Sequence, residues 1–299
     1  MPELEISAVI PAYNEEPGIA SVIDGLRDVL QRVARKHEII VVDDGSCDQT
    51  AELARQHGAL TLRHPINRGY GRALVTGFNA ARYDWVLMID GDGSYPPPEI
   101  QKLVESADGF DMIVGARQGK LFWGNPIRSL MRWIYLSLAG FVAGESIPDA
   151  NSGLRLIRKS EYFRCIPFLC LGYSFSTTLT LSFLQSGRFV AFVPVAYAER
   201  KGRSKVRPVR DILRTLQIMT QAIVYYNPLK LTVSAAALLS FASILCAAIF
   251  AAAGGEGLAV LLLATAAVLS TAILLAGCVL DSIRMHFQGR DNTLLSRDR

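Results

Sequence analysis

The chain has 299 residues, 51% of them hydrophobic, and a formal net charge of +4. Its mean hydropathy of +0.27 is high for a soluble protein, and its five cysteines show no zinc spacing and would stay reduced in a cytoplasmic domain. The charge is small and gathers beside apolar segments, which favours anionic headgroups or phosphates as partners and argues against nucleic acid.

In chain order, "ISAVIPAYNEE" is a β-branched run that ends in Pro11 and polar residues, with no leader peptide expected before it. "SVIDGLRDVLQRVARK" sets Val22, Ile23, Leu26, Val29, Leu30 and Val33 on a helical period, with Ser21 as its cap. "HEIIVVDDGSCDQT" is a second strand that stops at two acids and a glycine, and "TAELARQHG" is a short helix ended by glycine. "ALTLRHP", "WVLMIDGDG" and "DMIVGAR" read as the third, fourth and fifth strands, separated by helices in "GRALVTGFNAARY" and "PPEIQKLVESAD". His57 and His64 have no ligand pairing and are expected on the surface. Such alternation predicts an α/β fold, a mostly parallel sheet flanked by helices, with its ligand crevice beyond the carboxyl ends of the strands. Polar groups follow "AVI", "IIVV" and "VLMI" at once, so three strand ends converge on one site.

Asp90 and Asp92 lie one residue apart, so in extended chain both carboxylates point the same way. Like charges this close are unfavourable unless a cation lies between them or one takes a proton. Carboxylate oxygens with open positions suit Mg²⁺ or Mn²⁺, which also binds substrate phosphates. Gly91 and Gly93 clear space for a ligand, and Pro96, Pro97 and Pro98 stiffen the exit. Asp43 or Asp44 can accept hydrogen bonds from a nucleobase or ribose; Tyr13 offers a stacking face, and Asn14 and Glu15 offer polar edges. "NRGYGRAL" lacks the lysine of a phosphate loop, so Gly69 and Gly71 read as close-approach glycines.

Further on, "PVRDILRTLQIMTQAIVYYNP" has an amphipathic period, with Tyr225 and Tyr226 at its end, and reads as a helix lying on a membrane over residues 208–228. "IRSLMRWIYLSLAGFVAG" reads as a second such helix, with Trp133 and Tyr135 at headgroup level. Residues 231–253 and 258–280 are uncharged runs of about 23 residues, enough to cross a bilayer as a helical hairpin. Arg200, Lys201, Arg203, Lys205, Arg207, Arg210, Arg214 and Lys230 precede them, Arg284, Arg290, Arg297 and Arg299 follow, and the connecting "GGEG" carries no Lys or Arg. This predicts an integral membrane protein with both ends in the cytoplasm, organised as a catalytic domain (1–207), an interfacial helix (208–228), a transmembrane pair (229–282) and a basic tail (283–299). Small residues in both spans allow packing within one chain or between copies, so a homo-oligomer stays open.

The ordered motifs "VIPAYNEE", "VVDDGSCDQT", "NRGYGRAL", "DGDGSYPPPEI" and "DANSGLRLIRK" resemble those of family-2 glycosyltransferases with the GT-A fold, over about residues 6–205. The pattern is most similar to the dolichyl- and polyprenyl-phosphate sugar transferases, the dolichol-phosphate mannose synthase type. The resemblance implies transfer of one sugar, with inversion, from GDP-mannose or a UDP-sugar to a polyprenyl or dolichyl phosphate, at the cytoplasmic face of a bacterial inner membrane. It puts Pro11, Tyr13, Glu15 and Asp43 or Asp44 on the nucleoside, and Asp90 and Asp92 on the metal and diphosphate. "GARQGKLFWGNPIRSLMRW" resembles the acceptor loop, which makes Arg117 and Arg128 candidates for the lipid phosphate. "ERKGRSKVRP" resembles the loop that closes over the donor, giving Arg200, Ser204 and Lys205. Ser152 and Gly153 make a turn near the acceptor, beside Asp149, and Asp90, Asp92 or Asp149 can serve as a base for a different acceptor.

The sequence departs from the family at Ser94, where many relatives carry glutamine or threonine, and at Thr178, where an acid is often found. The "QxxRW" signature of processive relatives is missing from its usual region, which disfavours a polymer synthase. Other readings are a transferase acting on another lipid or glycan acceptor, or a non-catalytic scaffold; the scaffold predicts loss of Asp43, Asp44, Asp90 and Asp92, all present. A phosphatase of the haloacid-dehalogenase type shares "DGDGS" and nothing else.

Overall fold

The computed structural model describes residues 4–124, 126–165, 175–199, 217, 219–221, 223–224 and 227–295. The chain forms two compact units, residues 1–219 and 220–299. The first is built on β1 (Glu5–Ala12), β2 (Lys36–Asp43), β3 (Leu60–Arg63), β4 (Trp85–Met88), β5 (Met112–Arg117), β6 (Arg155–Arg158) and β7 (Val190–Val195). These make one sheet in the order β3-β2-β1-β4-β6-β5-β7, in which only β6 runs antiparallel to its neighbours. The helices are α1 (Ile19–Val33), α2 (Thr50–Gln56), α3 (Tyr70–Ala80), α4 (Glu99–Glu105), α5 (Lys120–Trp123), α6 (Pro126–Ala143), α7 (Lys159–Cys165) and α8 (Phe175–Gln185).

Both faces of the sheet are apolar, which is why its strands read as continuous runs. Ile6, Ala8 and Ile10 of β1 pack with Ile23, Leu26 and Leu30 of α1 in one cluster, while Val9 faces Leu74 and Phe78 of α3 in the other. Gly77 lets α3 approach β1 closely: a Cβ there would stand 2.3 Å from Val9 Cγ1. Ser21 does not cap α1 as expected. The helix starts at Ile19, and the Ser21 hydroxyl donates to the Gly18 carbonyl at 2.8 Å, inside the first turn.

Two strands, β6 and β7, escaped the sequence reading. "RLIR" is four residues long and carries the buried Arg155, and "VAFVPV" contains Pro194, which suits an edge strand bonded only to β5. The reversed direction of β6 matters for function. It brings the turn that precedes it, residues 149–153, to the sheet edge where the parallel strands end.

In the second unit, α9 (Pro228–Ala252) and α10 (Glu256–Leu295) are long and apolar enough to cross a membrane. Asn227 caps α9 by accepting from the Lys230 amide at 3.0 Å, with Pro228 at the first position. The two helices pack through small residues. The Ser240 and Ser270 hydroxyls lie 3.0 Å apart, and Gly277 abuts Thr232, while Leu238 and Val268 are each 70% exposed. Of the expected interfacial helix, residues 217, 219–221 and 223–224 are helical, with Met219 and Ile223 buried. Arg210, Arg214, Tyr225 and Tyr226 lie outside the described residues.

Candidate active site

The chain leaves β1 for β2 on one side and returns to β4 on the other, so the carboxyl ends of β1 and β4 border a topological switch point. Tyr13, Asn14 and Glu15 follow β1 there, beyond the buried Pro11. Asn14 is the one described non-glycine residue with positive φ, at 52°. Its amide receives a reciprocal clasp from the loop after β2: Asn14 N donates to Ser46 Oγ (2.9 Å), and Cys47 N donates to Asn14 Oδ1 (2.9 Å). Glu15 N donates to Thr50 Oγ1 at 2.9 Å. Asn14 thus fixes one loop against another. Asn14→Ala is expected to cost about 1–2 kcal/mol, mainly from backbone strain, because the Cys47 amide it releases is exposed to water. Thermal unfolding checks this, with Asn14→Gly recovering only the backbone share.

Asp43 and Asp44 are both buried, and their partners separate their roles. Asp44 Oδ1 accepts from Arg68 N (2.9 Å) and contacts His64 Nδ1 (2.6 Å), and Oδ2 accepts from Gly69 N (2.7 Å). Asp44 is therefore committed to the 64–69 loop. His64, expected on the surface, is buried between Asp44 and Thr76 Oγ1, and His57 is half-buried against Asp24. Their sequence surroundings are polar, but the loop folds back over β2. Asp43 Oδ1 accepts from Ser46 N at 3.1 Å, and Arg63 Nε stands 3.0 Å from Oδ2 without hydrogen-bond alignment.

At the end of β4, Asp90 Oδ1 accepts from the Tyr70 hydroxyl at 2.8 Å. Asp92, buried, accepts from Ser94 N at 3.0 Å. The Asp90 carboxylate lies directly over Gly153, where a Cβ would stand 2.0 Å from Oδ2. Tyr95 pins that glycine from the other side: Gly153 N donates to the Tyr95 hydroxyl at 2.7 Å. Burial, foremost, with Asp90 as a further cause, pushes the Tyr70 and Tyr95 hydroxyls above the ordinary phenol range, so both stay protonated. The residues fit a hard divalent cation. Two carboxylates stand two positions apart, and the buried Ser94 Oγ has no hydrogen-bond partner among the described residues. The same residues gather no third His, Cys, Asp or Glu, which leaves phosphate and water oxygens to complete such a site.

The second half of the site lies beyond β5 and the 149–153 turn. Arg117 forms a bidentate pair with Asp149, Nε to Oδ2 at 2.7 Å and Nη2 to Oδ1 at 3.0 Å. Its guanidinium also lies 5.2 Å from the Phe122 ring centre and 5.3 Å from that of Tyr197. Tyr197 is placed by Ala198 N, which donates to Ser94 O at 2.9 Å, and meets the Tyr95 ring at 5.6 Å. Arg132 lies 4.1 Å from the centre of the same Phe122 ring, with Nη1 buried and unpaired among the described residues. Burial, then the like charge of Arg117, pulls its guanidinium below the ordinary arginine value. Arg128 is one turn earlier on α6, and exposed. Ser152 Oγ is 3.3 Å from the Tyr95 hydroxyl.

Sequence reasoning missed Arg132, Phe122, Tyr197 and Arg155. Arg155 is fully buried and holds the turn: Nε donates to Ser152 O (2.9 Å), Nη2 to Ala150 O (2.8 Å) and Nη1 to Thr180 Oγ1 (2.8 Å). Burial pulls it down to about 10. The quoted "SGLR" was its only signal. Tyr135 is not at a surface headgroup level; it bonds Thr177 Oγ1 at 2.6 Å, which reaches Asn151 at 2.6 Å. Thr178 is buried in α8 and donates to Phe175 O at 2.9 Å. Arg200, Ser204 and Lys205 lie outside the described residues.

A family model described as glycosyl transferase family 2 matches residues 7–163. Undecaprenyl-phosphate 4-deoxy-4-formamido-L-arabinose transferase of Edwardsiella ictaluri is 31% identical over 208 residues, 67% of this chain and 62% of that protein. The chain thus spans less than two thirds of that relative's length. Undecaprenyl-phosphate mannosyltransferase of Micrococcus luteus is 27% identical over 218 residues, 68% of this chain and 88% of that protein. Among solved structures, glucosyl-3-phosphoglycerate synthase from Mycobacterium tuberculosis with phosphoglyceric acid superposes with a TM-score of 0.57 at 23% identity, covering 74% of this chain and 79% of that one. The same enzyme has been solved with Mn²⁺, uridine diphosphate and glucosyl-3-phosphoglycerate (TM-score 0.55, 23% identity, 74% and 78% covered). This likeness shows the fold, the GT-A arrangement of a mostly parallel sheet.

Proposed function

For a chain that belongs to glycosyl transferase family 2, we propose inverting transfer of one sugar from a nucleotide-sugar donor to a polyprenyl phosphate. The observation that carries this reading is charge. The Arg117 and Arg132 guanidinium groups lie over one buried ring, at the sheet edge that also bears Asp90 and Asp92. Arg117 is paired with Asp149, Arg132 has a buried Nη1 with no hydrogen-bond partner among the described residues, and Arg128 lies one turn before Arg132. Partly buried cationic excess is costly until an anion completes it, and a phosphomonoester presented to guanidinium forks does so.

Pro11, Tyr13, Asn14 and Glu15 line the nucleoside, and Asp43 takes the base or ribose because Asp44 is committed elsewhere. Asp90 and Asp92 hold Mg²⁺ or Mn²⁺ on the donor diphosphate, and a cation bound there offsets charge on the departing nucleoside diphosphate. Assignment of Arg200, Ser204 and Lys205 to that diphosphate rests on the resemblance of "ERKGRSKVRP" alone. The acceptor phosphate is already anionic near neutral pH, so its attack on the anomeric carbon needs little help from a base. Asp149, with both oxygens engaged by Arg117, orients that arginine. Ser152 borders the acceptor.

A lipid acceptor also accounts for α6, whose Ile127, Leu130, Met131, Trp133 and Phe141 are exposed. The basic residues that flank α9 and α10, and the connector without Lys or Arg, support a reading in which the two helices anchor the chain and the first unit faces the cytoplasm, in a bacterial inner membrane on this proposal. The test is transfer by detergent-solubilised protein to undecaprenyl phosphate, with Mg²⁺ or Mn²⁺ and a panel of radiolabelled nucleotide sugars. Label should enter the organic phase for one donor and fall at least about a hundredfold with EDTA or Asp92→Asn. Nucleotide binding without any lipid-linked product would sink the acceptor; full activity of Asp92→Asn would sink the metal site.

A further inference from the structure

We infer that Phe122 is a positioning residue that aims Arg117 and Arg132 at the acceptor phosphate, an inference that rests on the acceptor reading above. The ring is 3% exposed, and both guanidinium groups lie over it, at 5.2 Å and 4.1 Å from its centre. Two like charges drawn to one buried ring need a reason to stay. For Arg117 there is Asp149, which takes two of its nitrogens, and the Tyr197 ring. Among the described residues Arg132 pairs with no carboxylate; the ring lies under its guanidinium, and its buried Nη1 has no hydrogen-bond partner there. The negative face of the ring offsets part of the repulsion between the two groups and fixes how far apart they stand. What remains is a pair of forks held by one rigid spacer, complementary to a compact dianion such as a phosphomonoester. An aliphatic side chain would fill the same space and supply none of this field.

The test uses the full chain in detergent. Replacing Phe122 by trifluoro- or pentafluorophenylalanine keeps its shape and progressively removes the negative face, so the fold is preserved. The KM for undecaprenyl phosphate should rise stepwise, to roughly tenfold, while the Kd for nucleoside diphosphate with Mn²⁺ stays within twofold. Phe122→Leu should match the fluorinated limit, and Phe122→Trp should stay near wild type. Inorganic phosphate, added as a competitor, should lose potency by the same factor, which separates recognition of the phosphate from recognition of the lipid. In Arg132→Gln, fluorination should have a smaller effect than in the wild type. A flat response to fluorination, equal loss of nucleotide and acceptor affinity, or an undiminished effect in Arg132→Gln would overturn the inference. A wild-type protein that binds nucleotide and transfers to no phosphate would overturn the acceptor reading instead.

Discussion

Gly153→Ala is expected to lower metal-dependent transfer about a hundredfold, through a carboxylate that follows a neighbouring strand. The new methyl would stand 2.0, 2.4 and 2.6 Å from Oδ2, Cγ and Oδ1 of Asp90. A long side chain can bend away from such a clash at little cost; a carboxylate one methylene from the backbone can do so only by changing the direction in which it points. Asp90 is held on one side by the Tyr70 hydroxyl at 2.8 Å. The turn is held on the other, by Tyr95 at Gly153 N and by Arg155 at the carbonyls of Ala150 and Ser152. The methyl is relieved only by turning Asp90 away from Asp92 or lifting the turn that carries Asp149. Titration of nucleotide binding with Mn²⁺ distinguishes these: the first raises the metal requirement, the second weakens the acceptor. Wild-type kinetics in Gly153→Ala would mean that Asp90 does not bind metal from this position.

That contact was invisible in the sequence, although both partners lay inside quoted motifs. Asp90 and Asp92 are legible because strand alternation and an i, i+2 spacing act within one segment. So are β1, β2, β4 and β5, whose apolar runs reflect burial on both faces. Which residue a carboxylate meets across the sheet depends instead on register, here Met88 opposite Arg155 on a strand too short and too charged to be read. The same limit explains Asp43 and Asp44, adjacent and chemically identical, told apart only by where the 64–69 loop folds back. Arg128 and Arg132 are both plausible on a helix; only the position of Phe122 on the preceding turn of helix separates them.

Asp149→Ala is expected to cost about 3–5 kcal/mol, more than most single changes to a surface loop. The pair it breaks is only 16% and 2% exposed, and Arg117 is left facing Arg132 without a counter-charge. Much of that cost is the stranded cation, so removing both members, as Arg117→Met with Asp149→Leu, should recover most of the stability while transfer stays lost. The stranded arginines also make the variant a sensor for the proposed ligand. Phosphate that binds among them stabilises the folded state by mass action, so its addition should raise the melting midpoint more in Asp149→Ala than in the wild type. An equal shift in both proteins, or a greater one in the double variant, would mean that these arginines answer to Asp149 alone and that the acceptor phosphate lies elsewhere.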